Sequence, residues 1–158
     1  MRHKLFIAEH RGGLLKKEHH RQLVLWAYQC AEHVLPLLKG DVDERLEHAL
    51  QVAKDWVKGK ATTGDAMKAS RAAHAAARNY ADPVSTAVAR AIGQAVATVH
   101  MADHCMGSAL YALKALQLAG KPIEKERAWQ NKQLEKLPND MAELVLATMA
   151  VKGTILLR

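Results

Sequence analysis

The chain has little of what builds aromatic cores or paired-cysteine sites. Its 158 residues include one Phe, three Trp, three Tyr and two Cys. The cysteines, Cys30 and Cys105, are too far apart for a Cys-x-x-Cys pair, and each falls in an apolar helical pattern. We therefore expect both to be reduced, buried thiols of a cytosolic protein.

Long apolar runs are also missing. No stretch of about 18 uncharged apolar residues occurs, so the sequence predicts no membrane span. The Ala-rich segment after Pro83 comes nearest, but Arg90, Asp103 and other polar residues interrupt it. The N-terminus lacks the apolar stretch and cleavage site of a signal peptide, so a cytoplasmic protein is expected.

Runs of one charge are absent too, although the net charge is +7. The basic clusters are short, such as Lys16-Lys17, and no five like charges stand together. Trp26 and Trp56 have the spacing of core residues and not that of a base-stacking platform. A nucleic-acid partner is therefore disfavoured. An acidic protein face or a merely solvated basic surface both fit the charge.

Alanine, leucine and valine at helical spacing are what the sequence has in abundance. Few strand-forming residues accompany them, so the composition favours closely packed helices. We predict an all-α fold, a single compact bundle of six to seven helices. Residues 1–17 form an expected N-terminal arm, broken by Gly12-Gly13 and packed on the body, and residues 18–158 form the all-helical domain.

Start and stop signals divide the helical domain. From Val84 to Ala119 the helical pattern is longer than an ordinary helix, so a break is expected near Gly93 or Gly107. A short apolar tail is expected after Gly153. The remaining signals are starts at Glu18, Asp41 with Glu44, Thr62 or Thr63, Asp82-Pro83, Pro122 and Pro138, and ends at Leu35, Gly59 and Leu137.

The third predicted helix has one face of small side chains. Such a face lets another helix approach to the short end of the usual axial separation of roughly 8–10 Å. Exposed Ala-rich helices also leave open a structural interpretation, in which the protein is a homo-oligomer that uses them as its interface. The residues of this face are Ala69, Ala72, Ala73, Ala76 and Ala77.

The opposite face of that helix carries Arg71, His74 and Arg78 at spacings of three and four, with Lys68 beside them. Such a ridge can bind an anionic partner, pair with acidic residues of a neighbouring helix, or stay solvated. It is the best candidate for a partner-binding face because the other face is committed to packing. Trp129 is a further candidate, since Trp and Arg are common interface anchors.

The stretch "ATVHMADHC" concentrates residue types that bind metals. His100 and His104 are four apart, which on one helix places them on one face. A third ligand would come from His74, His48 or His33. The arrangement would then be similar to that of damage-inducible, DinB-like bundles, which use three histidines on helices. The pattern lacks the Glu of His-Glu-x-x-His. Packed or hydrogen-bonded histidines are the alternative interpretation.

Nucleophilic catalysis finds little support. Cys30 and His33 are three apart, but Cys30 belongs to an apolar stripe, which predicts an inert thiol. No serine has Gly-x-Ser-x-Gly surroundings, and no glycine-rich phosphate loop follows a strand. The sequence therefore predicts no catalytic residue and no cofactor.

Several stretches together resemble the Imm5-like family of immunity proteins. They are "HRQLVLWAYQCAEHVLPLL", "RAAHAAARNYADP", "ARAIGQAVATVHMADHCMGSALYALKAL" and "ERAWQNKQLEKLP", and they cover about Gly12 to Leu146. The resemblance implies a small bacterial all-helical protein of the cytoplasm that binds and neutralises a cognate toxin without catalysis. Two features depart from the family: "DVDERLEH" is poorer in Pro and Arg, and the net charge is positive. The charge indicates an acidic or mixed toxin face.

Overall fold

A computed structural model describes residues 2–157 and confirms the all-α prediction. Within those residues there is no β-strand, only an isolated bridge between Ala8 and Leu15. Met1 and Arg158, which end the predicted arm and tail, lie outside the described residues. The seven helices are α1 (Lys17–His33), α2 (Glu44–Val57), α3 (Thr63–Ala77), α4 (Pro83–Ala97), α5 (His104–Leu118), α6 (Glu124–Gln133) and α7 (Asn139–Leu156).

Side-chain capping sets the starts of three of the described helices, α2, α3 and α4. Thr62 caps α3, and Asp65 returns a carboxylate to the Thr62 amide, which completes a capping box. Asp82 caps α4, with Pro83 at its first position as predicted. The second helix differs: its cap is Asp43, whose carboxylate accepts from the Arg45 amide, and not Asp41.

The core is centred on α4, which packs against α1, α2, α3 and α5. Most of its side chains are buried and small or β-branched, so a helix can lie against it on nearly every side. α3 approaches the backbone of α4 closely, as shown by the hydrogen bond that the Ser70 hydroxyl donates to the Gly93 carbonyl at 3.1 Å. Ala73 is fully buried in α3, whereas Ala72 is half-buried.

The break in the long central segment lies at residues 98–103, and not at Gly93 or Gly107 as predicted. Both glycines are helical, and both make room for a neighbour. A Cβ on Gly93 would lie 2.7 Å from Cε1 of His74, and one on Gly107 would lie 2.6 Å from Oε1 of Gln94. These glycines therefore act as notches between helices, and not as hinges.

Two helix ends also differ from the expectation. α7 continues past Gly153 to Leu156, and Gly153 is an ordinary helical residue there: a Cβ on it would lie 3.6 Å from Cδ2 of Leu110, a normal contact distance. α6 is shorter than predicted and ends at Gln133, where a 3-10 turn follows. No helix in the part of the chain that the structure describes is long and apolar enough to cross a membrane.

Residues 2–16, here called the arm, fold back on themselves. The Leu15 amide donates to the Ile7 carbonyl and the Leu14 amide to the Lys4 carbonyl, both at 2.9 Å. Phe6 and Leu15 are buried in the common core. The arm is therefore an ordered part of the described body.

Candidate functional site

A cavity of about 830 Å³ lies between the arm and the helical body. One wall is arm backbone and side chains from Phe6 to Arg11. The other comes from the beginnings of α1 and α3, the end of α2 and residues 99–102 of the α4–α5 turn. We call it the arm cavity. Its volume lies within the roughly 300–1,000 Å³ typical of ligand sites.

The arm cavity combines an apolar lining with basic edges. Phe6, Leu15 and Val99 are buried lining residues. Arg11 and Lys17 also line the cavity and are exposed. Within residues 2–157, neither has an ion-pair partner. Such an edge attracts carboxylates, while the lining favours apolar or aromatic groups.

An ion pair fastens the arm at one end of the cavity. Nε of Arg2 donates to Oδ2 of Asp103 at 3.0 Å. Asp103 stands between the two histidines of the "HMADH" stretch, but in the α4–α5 turn it serves as this anchor. The carboxylate of Asp103 is therefore paired with Arg2 of the arm.

His20 and His100 supply imidazoles to the cavity lining. Nε2 of His20 lies 2.7 Å from the Thr98 carbonyl, and the ring packs 4.8 Å from that of Trp56. Burial lowers the pKa of His20, so the ring is neutral and donates to that carbonyl. Trp56, predicted to be a core residue, is half-buried here.

The pKa of His100 indicates that the electrostatic potential in this region is positive. Burial lowers its pKa, and the nearby charges of Arg11, Arg2 and Arg71 lower it further. Nδ1 of His100 is buried, and it has no hydrogen-bond partner among the described residues. Arg71 of α3 is therefore close enough for its charge to act on His100, although it does not itself line the arm cavity.

A second group of polar side chains, here called the polar row, crosses from α3 to α5. Arg90 donates to Nδ1 of His74 at 2.9 Å, and Nδ1 of His104 lies 2.8 Å from Oε1 of Gln94. Burial lowers the pKa of His74 and of His104, with Arg90 adding to the effect on His74. Both rings are therefore neutral groups held by hydrogen bonds.

The metal interpretation rested on His100 and His104 sharing one helix face, and that premise is wrong. His100 lies in the α4–α5 turn and His104 is the first residue of α5. Their ring centroids are 5.7 Å apart. Nδ1 of the suggested third ligand, His74, is directed at Arg90. Among residues 2–157 no group of three His, Cys, Asp or Glu side chains is placed to hold a metal ion.

The other two suggested ligands lie elsewhere. His48 is exposed on α2. His33 is at the end of α1, where Nδ1 bonds to Oε1 of Glu126 and the ring stacks on Trp129 with centroids 4.0 Å apart. Trp129, a predicted partner contact, is thus half-buried at the α1–α6 contact.

The predicted ridge on α3 is only partly a surface. Lys68, Arg71 and Arg78 are exposed, whereas His74 is half-buried over Gly93. The structure therefore leaves the arginines accessible and places the histidine in a helix contact.

The predicted inert thiols are buried, and burial raises the pKa of both Cys30 and Cys105. Cys30 has no access to solvent, and His33 is held by Glu126. The pair is therefore not arranged as a nucleophile and its base.

Acidic pH is expected to destabilise the protein through the neutral histidines. The pKa of His20 lies below its ordinary value of 6.5, so the unfolded chain takes up protons first as the pH falls through that value. The stabilisation is complete above about pH 6.5 and is lost below it, by at most about 1.4 kcal/mol per pH unit for each histidine before solvent screening. Urea unfolding at pH 7.5 and pH 5.5 measures this loss.

His20→Gln keeps an N–H donor for the Thr98 carbonyl and cannot take up the proton. It should reduce the pH dependence. The matched control is His48→Gln on the exposed face of α2, which should leave the wild-type dependence unchanged. An equal effect of both substitutions would contradict the assignment.

Sequence reasoning did not find the arm cavity. The sequence pattern predicts a packed arm and a continuous helix through residues 98–103. It therefore does not predict that the arm and the α4–α5 turn form two walls of one cavity. The short basic cluster Lys16-Lys17 was the only local signal.

Comparison with known proteins gives one match. A family model described as "Imm-5 like putative immunity protein" matches residues 13–137, which confirms the resemblance. The match spans α1 to α6, while the first part of the arm and α7 lie outside it. No curated protein and no solved structure matches the chain.

Proposed function

Since the chain belongs to the Imm-5-like family of immunity proteins, we propose that it binds a cognate protein toxin in the bacterial cytoplasm and neutralises it by covering the toxin's working surface. The observation that carries the proposal is the family match across six of the seven helices. No turnover is involved. The protein acts as a rigid helical body that fills space on its partner.

The helical surface is suited to such a role. A stable complex needs an interface of roughly 1,200–2,000 Å² in total, with a few anchor residues at its centre. Arg71 and Arg78 are exposed on α3, and Trp129 is half-exposed beside His33. These residues and His74 are our candidate contacts. The positive net charge favours an acidic or mixed toxin face.

Co-expression with the toxin encoded next to this chain tests the proposal. Cells that make the toxin should survive when the wild-type chain is present and die when its reading frame carries an early stop codon. The surviving cells should contain a complex of the two proteins that co-purifies. Death in the presence of folded, abundant protein, with every adjacent toxin, would refute the function.

A further inference from the structure

We infer that the arm cavity receives an acidic segment of the toxin, one that carries carboxylates around an apolar or aromatic side chain. The inference rests on the proposed function and names the place and chemistry of contact. Three observations support it: the charge of the cavity edge, the nature of its lining, and its position relative to the family match.

The edge charge is positive and uncompensated. Arg11 and Lys17 are exposed on opposite walls, one on the arm and one at the first position of α1. His10 is exposed beside them, and Glu9 is the one acidic lining residue. Arg2 also lines the cavity, but Asp103 holds it. An incoming carboxylate therefore finds cations that no described residue neutralises.

The electrostatic field at the lining residue His100 also supports a positively charged site. Three separate arginines, including Arg71 on α3, oppose the protonation of His100. Thr63 and Met67 of α3 also line the cavity, about two turns and one turn before Arg71 respectively. Arg71, predicted from the sequence alone as a partner contact, therefore extends the same surface.

The lining selects a peptide over a nucleic acid. A buried Phe6 and Leu15 and a half-exposed Met67 offer an apolar receptacle of limited size. Trp56 packs against His20, so its ring is not a free platform for stacked bases. A phosphate backbone would need a long basic track, whereas the unpaired cations here are confined to the edge of one cavity.

The position of the cavity suits a specificity element. Its arm wall, from Arg2 to Arg11, lies outside the residues that the family model matches, whereas its body wall lies inside them. We expect a wall outside the matched residues, facing a wall inside them, to be where one member of the family selects its own toxin. Trp129 is distant from the arm cavity. It stacks on His33, and His33 lies thirteen positions along α1 from the lining residue His20, which is about 20 Å at 1.5 Å per residue.

The first test measures affinity for the neighbouring toxin by calorimetry. The cavity variant is Arg11→Glu with Lys17→Glu, and the matched control is Lys39→Glu with Lys121→Glu, two exposed lysines that line a second cavity beside Pro83 and are not among the candidate contacts. Both variants change the net charge equally. The cavity variant should weaken binding roughly 10- to 100-fold, and the control by less than about threefold. Equal losses would mean that only overall charge matters, and would overturn the inference while leaving the proposed function intact.

The second test needs no toxin. The probe is the capped peptide Asp-Glu-Phe-Glu-Asp, compared with Asn-Gln-Phe-Gln-Asn and with oligothymidylate of equal charge. The acidic peptide should raise the pKa of His100, followed by NMR and assigned with His100→Gln, because its carboxylates offset the arginines. The effect should vanish in the cavity variant and persist in the variant with Lys39→Glu and Lys121→Glu.

The outcomes separate the two claims. Tighter binding of oligothymidylate than of the acidic peptide, or no response of His100 to the peptide, would overturn the cavity assignment. A normal His100 response together with no protection against any adjacent toxin would refute the proposed function instead. Circular dichroism of each variant checks that the fold is retained, and Arg11→Gln with Lys17→Gln replaces the cavity variant if it is not.

Discussion

Replacing Gly13 by alanine is expected to detach the arm and lower the melting temperature by roughly 3 to 12 °C. A Cβ at Gly13 would stand 1.9 Å from the Ile7 carbonyl oxygen, a backbone atom that no side-chain rotation can move away. The arm must then give up its return hydrogen bonds and the burial of Phe6. Exposing a buried Phe costs about 1.5–3 kcal/mol, and 1 kcal/mol corresponds to about 2–4 °C in a domain of this size.

Thermal unfolding and limited trypsin digestion measure this effect. The variant should be cut after Arg11 much faster than the wild-type chain, because the arm no longer protects that bond. The control is Gly64→Ala, the same change at the start of α3, where the new Cβ meets only Oγ1 of Thr62 at 3.7 Å. It should be neutral or slightly stabilising. If trypsin cut the Gly13→Ala variant after Arg11 no faster than it cuts the wild-type chain, the described hold on the arm would be contradicted.

Replacing Ala73 by leucine should produce the second large effect, a loss of about 1–3 kcal/mol or more. Ala73 is fully buried in α3, and one turn earlier Ser70 already donates to the Gly93 carbonyl of α4. No volume is available for three further carbon atoms unless the two helices separate. Separation would break the Ser70 bond and displace His74 from its notch over Gly93.

Urea unfolding of the Ala73→Leu variant measures this loss. The matched control is Ala75→Leu on the same helix, where the side chain is half-buried and the added volume can turn toward solvent. That control should change the free energy of unfolding much less. Equal destabilisation by both substitutions would mean that helix propensity, and not the closeness of α3 to α4, determines the outcome.

The sequence predicted best what local chemistry decides. The cap of α3, predicted at Thr62 or Thr63 and observed at Thr62, and the Asp82-Pro83 start of α4 depend on residues within one turn. The choice of Asp41 over Asp43 failed because two acids compete there, and the Arg45 side chain binds Asp43 through two hydrogen bonds. Such competition depends on side-chain positions that spacing does not supply.

Features that depend on contacts between distant segments were not predictable. The sequence predicts a break near Gly93 or Gly107, since a helical glycine costs about 1 kcal/mol relative to alanine. Here the missing Cβ gives His74 and Gln94 their places, and this packing outweighs that cost. The real break at residues 98–103 contains neither glycine nor proline. Because the break was missed, the histidine pair was placed on one helix face and the arm cavity was not foreseen.

The most direct measurement is a titration of the toxin's activity with the purified chain. Binding by occlusion predicts that activity falls linearly and ends near one chain per toxin, that the toxin's mass is unchanged, and that activity returns when the complex is separated. Inactivation at a small fraction of an equivalent, or a lasting chemical change in the toxin, would show turnover and contradict the account. Undiminished toxin activity at a large excess of folded chain would contradict it as well.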